Sequence, residues 1–344
     1  MEGPWRITFD TNPDDCNLRC IMCEEFSPYS NLKQLRIAQN NTPKRRRMDI
    51  ELIDRVLSEV TTKYDSLREI IPSTMGEPLM YKEFDKIIDM CHKYNVKLNL
   101  TTNGTFPLKS ATEWAELLVP ILSDVKISWN GYTKETQEKI MINSNLEKRT
   151  RQLKEFLKVR DSIASNGGNY AKVTLQVTFM EINYREFPEL IRMAINLGID
   201  RVKGHHLWAH FPEIKEQSMR RNPDAVARWN KMVREAFQII EQNKKPDGST
   251  LKLENFHELS DNAEVSLHTK SICPFLSQES WIAWDGRFNP CCAPDEQRKS
   301  LGYFGNLNQD NFIKIWEGDT YRNLVENYNE IDLCKSCNMR RRVE

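Results

Sequence analysis

Residues 6–25, RITFDTNPDDCNLRCIMCEE, set a short strand-like run, RITFD (6–10), directly before three cysteines that fall within eight positions. In parallel α/β folds the chemistry lies at the C-terminal ends of strands. A cysteine loop that follows the first strand is therefore a candidate site, and the rest of the chain decides which fold carries it.

The strand pattern recurs. LREIIPS (67–73), KLNLTTN (97–103), DVKISWN (124–130), VTLQVTFM (173–180) and RVKGHHLW (201–208) are short and rich in β-branched or aromatic residues. Between them, DIELIDRVLSEVTTKY, FDKIIDMCHKYN, ATEWAELLVPIL, NLEKRTRQLKEFLKVRDSIA and FPELIRMAINLGI repeat apolar residues at three- and four-residue steps, the spacing of helices that pack on a sheet. Six strands with intervening helices imply a parallel α/β sheet, either an open doubly wound sheet or an incomplete barrel.

Alternate residues within the strands favour the barrel. Asn99 and Thr101, then Lys126, Ser128 and Asn130, then Gln176 and Thr178, put one polar face on successive strands that a doubly covered sheet would bury on both sides. Such a face lines a wet cavity; the alternative is that helices cover only one side. After residue 210 the alternation stops, with one or two amphipathic helices over residues 211–245, a turn at PDGS (246–249) and an irregular connector, LENFHELSDNAEVSLHTKS (253–271). The expected division is 1–212 for the core, 213–265 for a helical linker region and 266–344 for a small cysteine-rich domain.

Composition excludes several classes. With 39% hydrophobic residues the chain can bury a core, and no apolar run approaches the roughly 20 residues of a membrane helix. There is no signal-peptide core, which points to a cytoplasmic protein. Lys plus Arg, 49, equal Asp plus Glu, 49, so no overall charge favours nucleic acid or an anionic membrane. Eight of nine cysteines lie in two groups near the ends of the chain, an arrangement suited to metal ligation rather than to a disulfide framework. Cys91, inside a helical run, reads as a core thiol.

Cys16, Cys20 and Cys23 form C-x3-C-x2-C. Three thiolates on one loop can ligate three corners of a cubane iron-sulfur cluster and leave one iron open to a small molecule. The alternatives are a zinc site completed by a distant ligand, or unligated core thiols.

With this triplet the chain resembles the radical S-adenosylmethionine (SAM) enzymes, which carry C-x3-C-x2-C after the first strand of a partial (β/α)6, TIM-like barrel. MGEP (75–78) resembles the segment of that family that meets the SAM amino group, with Met75 in place of its first glycine and followed by Gly76, Glu77 and Pro78. TTNG (101–104) and SWNG (128–131) resemble the stretches that face the SAM carboxylate and ribose, through Thr101, Thr102, Asn103, Ser128 and Asn130. Met22 departs from the family's usual aromatic residue before the third cysteine. The resemblance implies a SAM-binding [4Fe-4S] cluster, reductive cleavage of SAM to a 5′-deoxyadenosyl radical, abstraction of a hydrogen atom from a substrate, and a reducing partner such as flavodoxin or ferredoxin.

Near the other end, Cys273 and Cys291 are joined by Cys334 and Cys337, a C-x2-C pair, and Gly286 to Cys291 reads G-x4-C. These resemble the ligands of the twitch domain, the shortened relative of the SPASM domain, which holds one auxiliary [4Fe-4S] cluster; the spacing is closest to that of the twitch-bearing cyclitol dehydrogenases of aminoglycoside biosynthesis. A zinc ribbon is the alternative, and Cys292 is a spare thiol.

KGHHLWAHF (203–211) concentrates His205, His206 and His210 at the end of the sixth strand. His205 or His206 is a candidate for moving a substrate proton, with His205 on the inward stripe of Arg201 and Lys203; the competing account makes both structural, beneath Trp208. KRRRM (44–48) and MRRR (339–342) read as solvated surface charge, as do Glu24 and Glu25. The expected activity is on a small polar metabolite of sugar, cyclitol or nucleoside type. Only fifteen residues precede Cys16, which argues against a peptide-binding N-terminal domain. Peptide modification, and a non-catalytic iron-sulfur electron-transfer or scaffold protein, are the rival readings.

Overall fold

The β-branched runs form the strands that their alternation predicts: β1 Arg6–Phe9, β2 Glu69–Ile71, β3 Lys97–Thr102, β4 Leu122–Ser128, β5 Lys172–Phe179 and β6 Arg201–His206. The computed structural model describes residues 1–38, 45–260, 271–293, 295–337 and 339–342. Further strands among these include β7 Lys252–Glu254, β8 Glu279–Ile282 and β9 Phe288–Asn289. The helices include α1 Ile50–Lys63, α2 Phe84–Lys93, α3 Ala111–Leu118, α4 Lys134–Ile140, α5 Leu146–Ser165, α6 Phe187–Asn196 and α7 Pro223–Gln242. The protein is a mixed α/β fold whose strands pair mainly in parallel.

The contacts divide the chain into two units, Met1–Asp14 with Arg45–Leu98 and Asn262–Glu344, and Asp15–Lys44 with Asn99–Asp261. In the first, the strand order is β9, β8, β1, β2 and the start of β3. β8 runs parallel to β1, from the pair Arg6–Glu279 to Phe9–Ile282, and β9 returns antiparallel. Asp49 caps α1 by accepting from the Glu51 amide, and Leu52, Ile53, Val56, Leu57 and Val60 give that helix one buried stripe. The C-terminal residues pack there through rings as well as aliphatic side chains: Phe288 lies edge-on to Tyr321 at 5.4 Å, and the Trp316 indole donates to the Glu2 carbonyl at 2.9 Å. Cys91 is buried within α2, as its helical context implies.

The second unit continues with the end of β3, then β4, β5, β6 and β7. Lys126 registers with Thr174 and that with Arg201; Ser128 registers with Gln176, then Lys203, then Glu254. This is the polar face. Its reverse carries Val125, Ile127, Val173, Leu175, Val177 and Val202, all buried. β7 lies in the stretch expected to be irregular. Three residues alternating charge and leucine carry no periodic signal; the strand forms because Glu254 meets Arg201 at 2.8 Å and Lys203 at 2.7 Å from the neighbouring strand. α3 stops at Leu118, short of the expected Leu122, because Pro120 has no amide to continue it, and Leu122 opens β4. The connector residues 261–270 and Lys44 lie outside the described residues.

On the apolar side, the Phe179 ring occupies the space beside Gly204, where an added Cβ would stand 1.8 Å from Phe179 Cζ. Phe179 in turn packs on Trp229 at 4.4 Å and Phe256 at 4.8 Å, which leaves the ring nowhere to move. Gly204→Ala is expected to destabilise the protein by about 1–3 kcal/mol through overpacking, read from chemical denaturation; a variant as stable as the parent contradicts this packing.

Candidate functional site

The cysteine loop stands on an apolar footing. Leu18 and Ile21 are buried with Ile140, Met141, Met180, Leu207 and Ile214, while Cys16, Cys20 and Met22 pack at the edge of that cluster. Arg19–Cys20 pairs antiparallel with Met141–Ile142, the Ile21 amide donates to the Ile140 carbonyl at 2.9 Å, and the Ser27 hydroxyl closes the loop on the Ile21 carbonyl at 2.8 Å. Amides approach the sulfurs, Leu18 N to Cys16 Sγ at 3.5 Å and Phe26 N to Cys23 Sγ at 3.4 Å. Burial pushes the Cys20 thiol far above its usual range, and the charges of Cys23 and Cys16 push the same way.

The ends of β3 and β4 reach this loop. Asn103 donates to the Asn17 Oδ1 at 2.8 Å and lies 3.9 Å from Cys16 Sγ. Asn130 turns inward, its Oδ1 accepting from the Thr178 amide at 2.7 Å. Sequence reading passed over Arg149. It is fully buried on α5, donates from Nη2 to the Asn103 carbonyl at 2.7 Å and to the Ser128 carbonyl, and lies over the Trp129 ring at 4.7 Å. At Gly104, which takes φ +72°, an added Cβ would stand 2.6 Å from Ile127 Cγ2 and 3.3 Å from Arg149 Nη2, which accounts for the glycine that ends TTNG. A signal existed, since Arg149 sits on the buried stripe Leu153, Phe156 and Leu157 of its helix.

In the other unit, Met75-Gly76-Glu77-Pro78 follows β2. Gly76 takes φ +79°, and the Glu77 side chain turns back to accept from the Leu79 amide at 3.3 Å. Burial raises the Asp10 carboxyl above the usual carboxylate range, against the Thr74 hydroxyl, the Thr74 and Met75 amides and Arg46, which pull it down.

Cys273, Cys291, Cys334 and Cys337 share a region of that unit. Burial is the main cause of the raised thiols of Cys273 and Cys291 and lifts Cys334 to about 11, with the charges of the other cysteines adding to each. The Leu276 amide points at Cys273 Sγ at 3.5 Å, and Cys292 is exposed. None of the nine cysteines is in a disulfide. Among the described residues no three His, Cys, Asp or Glu side chains already stand at the spacing of a bound ion. The donor sets nevertheless fit iron-sulfur clusters, since buried thiolates that repel one another are stabilised by metal charge.

The two histidines of β6 face opposite ways. His205 is on the polar face, with Nε2 3.2 Å from the Thr178 hydroxyl; burial and then the Lys203 charge lower its pKa. His206 is on the apolar face, edge-on to Phe179 at 5.2 Å and Trp229 at 4.8 Å. Trp208, under which the competing account placed both, is exposed and beside His210. Several of the charges expected to be solvated have partners. Glu25 meets Arg36 at 2.6 Å, Arg46 meets Asp14 at 2.7 Å, and Arg340 lies over the Tyr328 ring and donates to the Ser271 carbonyl.

A cysteine triplet on a loop after the first strand, with amide and hydroxyl side chains at the strand ends that follow, defines an iron-sulfur enzyme of the SAM-using class. The profile of the radical SAM superfamily matches residues 13–194, and that of the SPASM iron-sulfur cluster-binding domain matches residues 273–338. The chain belongs to the radical SAM superfamily, a family of enzymes that use SAM. It is 25% identical over 343 residues to the tungsten-containing aldehyde ferredoxin oxidoreductase cofactor-modifying protein of Pyrococcus furiosus, which covers 94% of this chain and 85% of that one. A GTP 3′,8-cyclase of Nautilia profundicola is 30% identical over 193 residues, 54% of this chain and 51% of the cyclase. Streptococcus suis SuiB bound to S-adenosylmethionine is similar in fold, with a TM-score of 0.66 at 16% identity, covering 98% of this chain and 71% of SuiB. Among the described residues no helix is long and apolar enough to cross a membrane.

Burial, then Arg220, His205 and His257, holds His206 down to about 4 in the folded protein. The unfolded chain takes up that proton near the ordinary value of about 6.5, so between these values it binds more protons than the folded state. Stability is thus expected to fall as pH drops from about 6.5 towards 4, and His206→Phe to flatten that fall in a series of melting curves; parallel curves for parent and variant would refute it.

Proposed function

We propose that this enzyme cleaves S-adenosylmethionine reductively and removes a hydrogen atom from a small polar metabolite of sugar, cyclitol or nucleoside type. The observation that carries the reading is the polar face of β4, β5 and β6, on which Lys126, Ser128, Gln176, Thr178, Lys203 and His205 follow one another across parallel strands. Such a face offers hydroxyl, amide and amine groups to a hydrogen-bonding substrate. The likeness to a GTP 3′,8-cyclase supports a nucleoside type, and the likeness to a cofactor-modifying protein supports a small molecule.

In this reading Cys16, Cys20 and Cys23 hold a [4Fe-4S] cluster that, with an electron from a carrier such as flavodoxin or ferredoxin, supplies the 5′-deoxyadenosyl radical from bound SAM. Met75, Gly76, Glu77 and Pro78 receive the SAM amino group, and Thr101, Thr102, Asn103, Ser128 and Asn130 its carboxylate and ribose. Arg149 fixes the carbonyl ends of two of these segments. Cys273, Cys291, Cys334 and Cys337 hold the auxiliary cluster. His205 accepts or returns a substrate proton from the polar face, while His206 packs the reverse side. A peptide substrate is the rival reading, and the likeness to SuiB supports it through fold alone.

Anaerobically reconstituted protein is expected to bind about eight irons, and replacement of Cys16, Cys20 and Cys23 by alanine to leave about four. The parent should release 5′-deoxyadenosine and methionine from SAM only with reductant, and the triple variant should release neither. A fully loaded parent that leaves SAM intact overturns the activity. His205→Asn is expected to slow substrate conversion by about 10²- to 10⁴-fold while uncoupled SAM cleavage and iron content hold; full turnover by the variant removes the proton-transfer role.

A further inference from the structure

Immediately after β1, the run Asp10-Thr11-Asn12 is bonded to one loop, residues 72–77. The Asp10 carboxylate accepts from the Thr74 hydroxyl and from the Thr74 and Met75 amides. The Thr11 hydroxyl lies within hydrogen-bond distance of the Pro72 carbonyl, at 2.5 Å, and of Asn12 Oδ1, at 2.8 Å. Asn12 Nδ2 donates to the Glu77 carbonyl at 2.9 Å. Within the loop itself, the Ser73 hydroxyl donates to the Met75 carbonyl. Thr11, Asn12 and Glu77 are each at most 1% exposed, so water does not substitute for these bonds.

Apart from the Thr74 hydroxyl, every bond from the run to the loop goes to main chain. None of these bonds uses the Met75 side chain, so Met75 can stand where the family has glycine without disturbing the turn at Gly76. The chemistry of the bonds has a direction as well. Asp10 takes up the amide donors of Thr74 and Met75, so those two N–H groups are not offered to a ligand. Withdrawing amide donors suits an ammonium group, which donates and needs acceptors around it.

We propose that Asp10, Thr11 and Asn12 are positioning residues for SAM, holding the main chain of residues 72–77 in the shape that receives its ammonium group. This rests on the assignment of Met75–Pro78 to that group under the proposed function. The three residues act through the loop and touch no reacting atom.

The test measures equilibrium binding of SAM, and of 5′-methylthioadenosine, which lacks the amino-acid part, to the reconstituted holoenzyme. Asp10→Ala and Asn12→Ala are expected to weaken SAM by about tenfold each, the effect of losing a buried hydrogen bond, while affinity for 5′-methylthioadenosine and iron content stay at the parent's level. Asp10→Asn keeps an acceptor oxygen and should recover most of the SAM affinity, which a general loss of folding would not allow. SAM affinity unchanged in folded, iron-loaded Asp10→Ala overturns the proposal, and so does an equal loss for both ligands. Gly76→Ala separates the two levels. If it weakens SAM and Asp10→Ala does not, only the brace falls; if a folded, iron-loaded Gly76→Ala binds SAM as the parent does, the assignment of the loop falls and takes the brace with it.

Discussion

Charged residues on inner strands of a parallel sheet are only partly reached by water and so need partners on the sheet itself. In the second unit, Arg201 meets that demand for three strands at once. It reaches Asp124 on β4, Thr174 on β5 at 3.0 Å and Glu254 on β7 at 2.8 Å, while Thr174 also donates to Asp124 at 2.9 Å. Arg201 and Glu254 are each less than a quarter exposed, so removing one member would leave a charge that water only partly compensates. This network lets the strands keep Lys126, Gln176, Lys203 and His205 on the same face, and it gives β7 a reason to exist.

The same logic, run through apolar contacts, governs the cysteine loop. Leu18 and Ile21 sink between Met141, Met180 and Leu207, which leaves Cys16 and Cys20 at the rim of the cluster rather than inside it. Burial of the two aliphatic side chains stabilises the loop without using a sulfur, so the thiols remain available as ligands. Arg149 adds a buried cation that lowers the Cys20 thiol and ties together the Asn103 and Ser128 carbonyls. Loop, strand ends and buried arginine thus form one connected arrangement within the unit.

Local pattern made much of this legible. Strand period, helix period and the spacing of Cys16, Cys20 and Cys23 are properties of a few consecutive residues, and the six strands and main helices follow from them because those periods decide which face a chain can bury. The polar stripe across β4 to β6 was readable for the same reason. So was the opposed facing of His205 and His206, since adjacent residues in a strand point to opposite sides.

What the sequence by itself determined was the element types, the cysteine spacing and the family resemblance carried by MGEP, TTNG and SWNG. What only the tertiary structure decided was partnership across distance along the chain. Parallel pairing of β8 with β1 joins Arg6 to Glu279, Glu25 finds Arg36 instead of solvent, His206 rests on Trp229 instead of Trp208, and Asp10, Thr11 and Asn12 reach a loop more than sixty residues on. The physical reason is that ion pairs, ring contacts and side-chain to main-chain hydrogen bonds act over a few ångströms of space, and no periodicity in a sequence encodes which distant residue will occupy that space.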